Sequence, residues 1–289
     1  MTSLRECMIH DMRIRNFSEN TQESYILQVS QFARYFHKSP EQLGPAEIRQ
    51  YQIYLVEEKR LAPSSVQSAV AALRFLYRTT LHKDWVFEDV LPIPHRPQRL
   101  PVVLSPGEVQ EFLNSVHPLK HRTILTVCYA AGLRVSEAVH LKPSHIDSQR
   151  MVIRVEQGKG NKDRYVMLSV KLLETLRVWW RVKKPQQWLF PGSRPDCPIT
   201  IHTVQEACQR ARQRCGLLKL VTPHSLRHAF AVHLLESGAD VRTIQLLLGH
   251  RSLETTVRYL KISTTKVCET ISPFDRLPAC LADCSNPQP

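Results

Sequence analysis

The sequence predicts a mainly α protein in two domains, with one small β-hairpin or sheet. Apolar residues recur at helical spacing through most of the 289-residue chain. Glycine numbers only 9, well under the roughly 7% of an average protein, so few turns interrupt those helices. Four prolines crowd into the ten residues PIPHRPQRLP from Pro92 to Pro101 and divide the chain in two. At 43% apolar and 22% charged residues, both parts can bury cores, which excludes a wholly disordered chain.

Ser18 can cap a helix to about His37, with Tyr25, Val29, Phe32 and Phe36 on its apolar face. Pro45 opens a second helix to about Lys59, and Pro63 a third carrying Val66, Val70, Leu73, Leu76 and Tyr77. The opposite side of that third helix holds Ser64, Gln67, Ala71, Arg74 and Arg78. This polar stripe has the chemistry to lie against phosphate and equally that of a solvated face. The proline-rich segment favours extended geometry, about 3.1 Å per residue, and is made basic by His95, Arg96 and Arg99.

Beyond it, Ser105-Pro106 with Glu108 starts another helical region that runs past Glu137. Residues 151–168 change period: Met151, Ile153 and Val155 alternate, a polar turn with two glycines follows, and Tyr165 to Leu168 return. That pattern predicts a hairpin with a basic tip. Helices are expected again over 171–181, 202–215, 224–237, 241–248 and 253–262, with Gly238 just past the end of the third. On the 202–215 helix, Arg210, Gln213 and Arg214 form a basic face fit either to track a polyanion or to meet water.

Lysine and arginine number 39 against 26 acidic residues, a net charge of +13. The surplus is uneven: residues 1–100 carry +2 and residues 101–289 carry +11. Such an excess favours a polyanionic partner, nucleic acid being the commonest. The eight cysteines include no C-x-x-C pair, so neither a zinc site nor a disulfide framework is expected. No apolar run approaches the roughly 18 residues of a membrane helix, and the N-terminus lacks a secretory h-region. A cytoplasmic, nucleoid-associated protein with no membrane partner is the expectation.

The chemistry concentrates in TPHSLRHAFAVHLLESG. Thr222-Pro223 marks a helix start, so His224, Arg227 and His228 fall at i, i+3 and i+4 of its first turn. Helix N-termini attract anions, and an imidazole and a guanidinium added there make a phosphate site. A metal held by His224 and His228 is disfavoured by the arginine between them. Upstream, AAGLRVSEAVHLK offers Arg134 after a glycine and Glu137 three residues on; the hairpin tip offers Lys159. Downstream, LLLGHRSLETTVRY places His250 behind Gly249 and Tyr259 nine residues later.

With these segments the sequence closely resembles the tyrosine recombinases, the group of phage integrases, Xer proteins and integron integrases. GLRVSE, QGKGNKDR, LFPG, HSLRHAFA and LLGHRSLETTVRY occur in the family's order, over nearly the whole chain. The resemblance implies a tyrosine recombinase catalytic fold in a two-domain DNA clamp. Residues 1–85 would be a helical, SAM-like domain binding the core DNA site, 86–103 the linker and 104–289 the catalytic domain. It also implies a catalytic set of Arg134, Lys159, His224, Arg227, His250 and Tyr259, with none replaced.

Elementary chemistry suits those roles. Two arginines can grip the non-bridging oxygens of a phosphodiester. A phenol with a reference pKa near 10 needs cations and a base to attack at neutral pH, and His224 is the expected acceptor. His250 would donate to the phosphate, and Lys159, with Lys162 as its rival, would protonate the leaving 5′-oxygen. Glu137 and His228 are expected to orient these groups. Arg74, Arg78, Arg96, Arg99, Arg210 and Arg214 are candidate DNA contacts. No cofactor and no metal is called for, because side-chain cations can supply the charge that Mg²⁺ supplies elsewhere.

The implied reaction is site-specific cutting and rejoining of double-stranded DNA through a 3′-phosphotyrosyl bond to Tyr259. The implied assembly is a tetramer on two recombination sites; any accessory DNA-bending factor is not legible. A type IB topoisomerase would rejoin the same strand instead, and a non-catalytic DNA-binding relative would lack the reactive set. Val267, Ile271 and Phe274 suggest a short amphipathic helix around 264–274, to pack on a neighbouring protomer or fold back on its own.

Overall fold

The computed structural model describes residues 3–92, 102–156, 163–250 and 252–261. The proline-rich segment from 93 to 101, with Arg96 and Arg99, lies outside these residues, as do Lys159, Lys162 and the 264–274 segment. The chain divides into two compact units, residues 1–99 and 100–289.

The first unit holds α1 (Ser3–Ile14), α2 (Glu19–Phe36), α3 (Pro45–Ile53), α4 (Pro63–Phe75) and the short α5 (Phe87–Val90). Ser18 caps α2 through a bond accepted from the Thr21 N–H, and Pro45 and Pro63 open α3 and α4. α3 and α4 each end in a wider π-turn, Tyr54–Glu58 and Leu76–Thr80. The apolar stripes foreseen on α2 and α4 meet here: Phe32, Val66, Val70, Leu73, Leu76 and Tyr77 are buried in one cluster. α1 adds Met8 and Met12, one turn apart. Tyr77 is fully buried, its hydroxyl donating to the Pro40 carbonyl at 2.9 Å, and burial pushes its pKa well up.

Arg74 departs from the expectation of a DNA contact. Its Nε donates to the Leu91 carbonyl at 3.0 Å and its Nη2 to the Phe87 carbonyl at 2.9 Å, tying α4 to α5. A guanidinium engaged on two carbonyls stabilises the domain. Arg78, one turn on, is exposed.

The second unit runs α6 (Pro106–Ser115), α7 (Leu119–Ala130), α8 (Val135–Val139), β1 (Ile146–Asp147), β2 (Val152–Val155), β3 (Arg164–Met167), α9 (Val170–Lys183), α10 (Ile201–Arg214), α11 (Pro223–Glu236), α12 (Val241–Leu248) and α13 (Leu253–Val257), then a 3₁₀ turn over Arg258–Lys261. The expected hairpin is β2–β3, antiparallel with Val155 opposite Arg164, and β1 adds an edge strand on β2 that alternation did not reveal. α7 is buried along most of its length, with Ile124, Leu125, Val127 and Cys128 inaccessible to solvent. Cys128 and Cys208 are buried thiols whose pKa values burial pushes up to about 12, chemistry of packing and not of reaction. Among the described residues no helix is long and apolar enough to cross a membrane.

Replacing Arg74 by Ala should cost about 1–3 kcal/mol through the lost charged hydrogen bonds. Urea denaturation would show the lower midpoint, and an unchanged midpoint would refute the tie.

Candidate active site

Two glycines set the geometry. Gly132 turns the chain at the end of α7 with φ of +63°, and a Cβ there would come within 2.4 Å of the Phe230 ring on α11. Gly249 ends α12 with φ of +62°, packed against the Arg164 side chain. Only glycine serves at such positions without strain. Arg227 joins the two turns: Nη1 donates to the Gly132 carbonyl and Nη2 to the Leu248 carbonyl. Arg227 is 1% exposed, and its Nε has no hydrogen-bond partner among the described residues.

Glu137 holds the arginines together. The Arg134 N–H and Nη1 both donate to it at 2.8 Å, so it caps α8 and fixes the arginine at the cap. Arg164, first residue of β3, donates two parallel bonds of 2.9 Å to the same carboxylate, and its Nε donates to the Leu247 carbonyl at 2.9 Å. Arg227 Nη1 lies 3.6 Å away. Burial pushes the Glu137 pKa up, but the hydrogen bonds and charge of Arg164, then those of Arg134, outweigh it and hold the carboxyl at about 2. Three guanidinium groups share one carboxylate, leaving two positive charges uncompensated within the cluster.

Around this cluster stand four rings. Thr222 caps α11 by accepting from the Ser225 N–H, which puts His224 in the first turn and His228 one turn further. Their rings meet edge to face at 4.2 Å. His228 Nδ1 lies 2.9 Å from the Tyr259 hydroxyl. His250 stacks nearly parallel to the Tyr259 ring at 6.3 Å and is fixed by its Nδ1 on the Thr256 hydroxyl at 2.9 Å, with Nε2 3.4 Å from Arg227 Nη2. Burial first, then the Arg227 and Arg134 charges, lower the His250 pKa to about 3, so the ring is neutral at pH 7. The same causes in the same order push the His224 pKa down. Burial and the Arg134 charge lower that of Arg227 to about 10, which leaves it a cation.

Of the residues expected to react, Arg134, His224, Arg227, His250 and Tyr259 thus lie together, and Glu137 and His228 touch them. The phenol shares its hydrogen bond with His228, expected only to orient, whereas His224 makes none to it among the described residues. Tyr259 is 3% exposed and Arg134 23% by its side chain, so the open face of the cluster is that of Arg134 and His224. Lys159 falls in the β2–β3 connection. Arg210, paired with Glu206 at 3.5 Å, and Arg214 are exposed on α10. Sequence reasoning missed Arg164, although it closes the QGKGNKDR segment, and Thr256, although it lies within LLGHRSLETTVRY.

Comparison with known proteins gives the family. Residues 103–266 match the phage integrase family and residues 4–86 the phage integrase N-terminal SAM-like domain. An integrase/recombinase of Sinorhizobium fredii, y4qK, is 65% identical over 278 residues, covering 96% of this chain and 90% of its own. The tyrosine recombinase XerC of Leptospira interrogans is 29% identical over 272 residues, covering 88% and 87%. The solved structure of the XerH site-specific recombinase bound to a palindromic difH substrate shares the fold, with a TM-score of 0.71 at 22% identity over 89% of this chain and 80% of that one. The chain belongs to the phage integrase family, the tyrosine recombinases, enzymes that cleave and rejoin DNA.

The carboxylate makes a pH signature. A folded pKa of about 2 against about 4.3 unfolded means Glu137 stabilises the fold fully above about pH 5 and progressively less as pH falls toward 2. Wild type should therefore exceed Glu137→Gln by about 3 kcal/mol at pH 7, and the gap should narrow on acidification. Urea titrations at pH 7 and pH 4 would measure it; a gap independent of pH would sink the ion cluster.

Proposed function

We propose that this chain is a site-specific recombinase in which Tyr259 attacks a DNA phosphodiester to form a 3′-phosphotyrosyl bond and release a 5′-hydroxyl. The observation that carries the reading is the convergence, on one phenol and one guanidinium pair, of side chains from three separated segments: Arg134; His224 with Arg227 and His228; and His250 with Tyr259. Arg134 and His224 meet the non-bridging oxygens. Arg227 acts beneath them as a fixed charge, and His250, neutral, donates a hydrogen bond. Lys159, between β2 and β3 in sequence, protonates the leaving 5′-oxygen. The bond energy is kept in the phosphotyrosyl ester, so a 5′-hydroxyl from a partner duplex can displace Tyr259 and join the strands.

The substrates are double-stranded recombination sites, gripped by a clamp of N-terminal and catalytic domains, with four protomers assembling on two sites. The +11 charge of residues 101–289 supports backbone contact, with Arg78 and Arg214 as exposed candidates.

A suicide substrate that loses its 5′-end after cleavage tests the reading. Wild-type protein should trap as a covalent adduct and Tyr259→Phe should trap none while binding a single site as before. Adduct formed by the phenylalanine variant would refute Tyr259 as nucleophile. Lys159→Ala should slow trapping roughly 10²–10⁴-fold, and a 5′-bridging sulfur, whose departure needs no proton, should restore most of the rate. Lys162→Ala should show neither effect.

A further inference from the structure

We infer that His228 is the base that takes the Tyr259 proton, a catalytic group distinct from the His224 beside it; the inference rests on Tyr259 being the nucleophile. Its Nδ1 stands 2.9 Å from the reacting oxygen, the distance of a formed hydrogen bond.

The neighbouring candidates are occupied or misdirected. His224 touches the His228 ring edge to face, makes no hydrogen bond to the phenol among the described residues, and is exposed. His250 offers Tyr259 the face of its ring, its Nδ1 is on Thr256, and the arginine charges beside it oppose protonation. Glu137 is saturated by Arg134 and Arg164. His228 stays in place because the turn of α11 between it and Thr222 is fixed by the cap and by buried Arg227. Among the described residues, the titratable groups around it are His224 from its own helix, Tyr259 from the last turn and His250 from the end of α12, with Arg227 and Arg134 as the adjoining charges. Those cations favour the phenolate, which makes proton removal by a neutral imidazole feasible near pH 7.

The step balances as follows. Neutral His228, with its proton on Nε2, receives the phenolic proton at Nδ1. The Tyr259 oxygen bonds to phosphorus, the bond from phosphorus to the 5′-oxygen breaks, and that oxygen leaves protonated by the separate acid. On rejoining, the incoming 5′-hydroxyl gives its proton to the conjugate base of that acid and bonds to phosphorus. The bond from phosphorus to the Tyr259 oxygen breaks, and the departing phenolate recovers its proton from the His228 imidazolium.

Two variants separate proton transfer from placement. His228→Ala removes the contact, whereas His228→Asn keeps an acceptor near the Nδ1 position that cannot titrate. Adduct formation on the suicide substrate would be followed in single turnover across pH, with single-site binding and thermal unfolding as checks on folding. Both variants should lose about 10²–10⁴-fold at pH 7. Their rates should climb with pH toward the phenol's own pKa near 10, where the wild-type profile has already levelled off at lower pH. A 5′-bridging sulfur should rescue neither. His224→Asn should lower the rate without moving the pH at which the profile levels off. A wild-type rate and profile in His228→Asn would overturn the inference and leave His228 a placing group. Rescue by the sulfur substrate would overturn it by moving the defect to the leaving group. A wild-type protein that traps no adduct, or a Tyr259→Phe protein that does, would instead overturn the underlying reading.

Discussion

A guanidinium buried to 1% exposure is what the catalytic unit is organised around. Taking a cation out of water costs several kcal/mol unless its donors are met, and Arg227 meets two of them on main-chain carbonyls 95 and 21 residues away in sequence. Those carbonyls exist at the right place only because α7 and α12 each stop at a glycine in left-handed backbone. The arginine therefore sets where three helices end or begin, and with them where Arg134, His250 and His228 stand. Stability and reactivity share one side chain here.

The charge around it is deliberately unequal. Glu137 is bonded to Arg134 and Arg164 and faces Arg227, which positions all three without neutralising them. Arg164 connects this cluster to the strand at the base of the hairpin and, through the Leu247 carbonyl, to α12. The resulting positive field has a measurable effect on its surroundings: it helps to hold the His250 imidazole neutral and would equally favour a phosphate or a phenolate. A site of this kind is charged in advance for an anion that arrives and for one that forms.

Much of this was legible in the sequence, for reasons that differ from part to part. Helices α2, α4 and α9 to α12 have well-spaced apolar faces and clear caps, so their extents follow from local chemistry. The reactive residues sit in short segments whose order carries the family resemblance. What escaped depends on contacts that no local pattern encodes. Arg74 sits on a polar stripe, yet bends to two carbonyls 13 and 17 residues away. Arg164 begins a strand and finds its partner 27 residues back. β1 is two residues long, too short for any alternation to register. His224 and His228 are one helical turn apart on one face, and spacing alone cannot say which of them reaches a tyrosine 31 residues downstream.

The two glycine turns that serve Arg227 also govern where this chain can change length. An insertion between Cys128 and Arg134, or between Gln245 and His250, would carry a carbonyl away from the buried guanidinium, and no neighbouring group stands ready to replace it. The exposed stretch Ser193–Asp196 and the loop around Leu218, 96% exposed, carry no such bond to Arg227. Divergence of such a protein is thereby channelled: outer loops are open to remodelling, while the spacing of the segments around Arg134, Arg227 and His250 is held constant by a single interior cation.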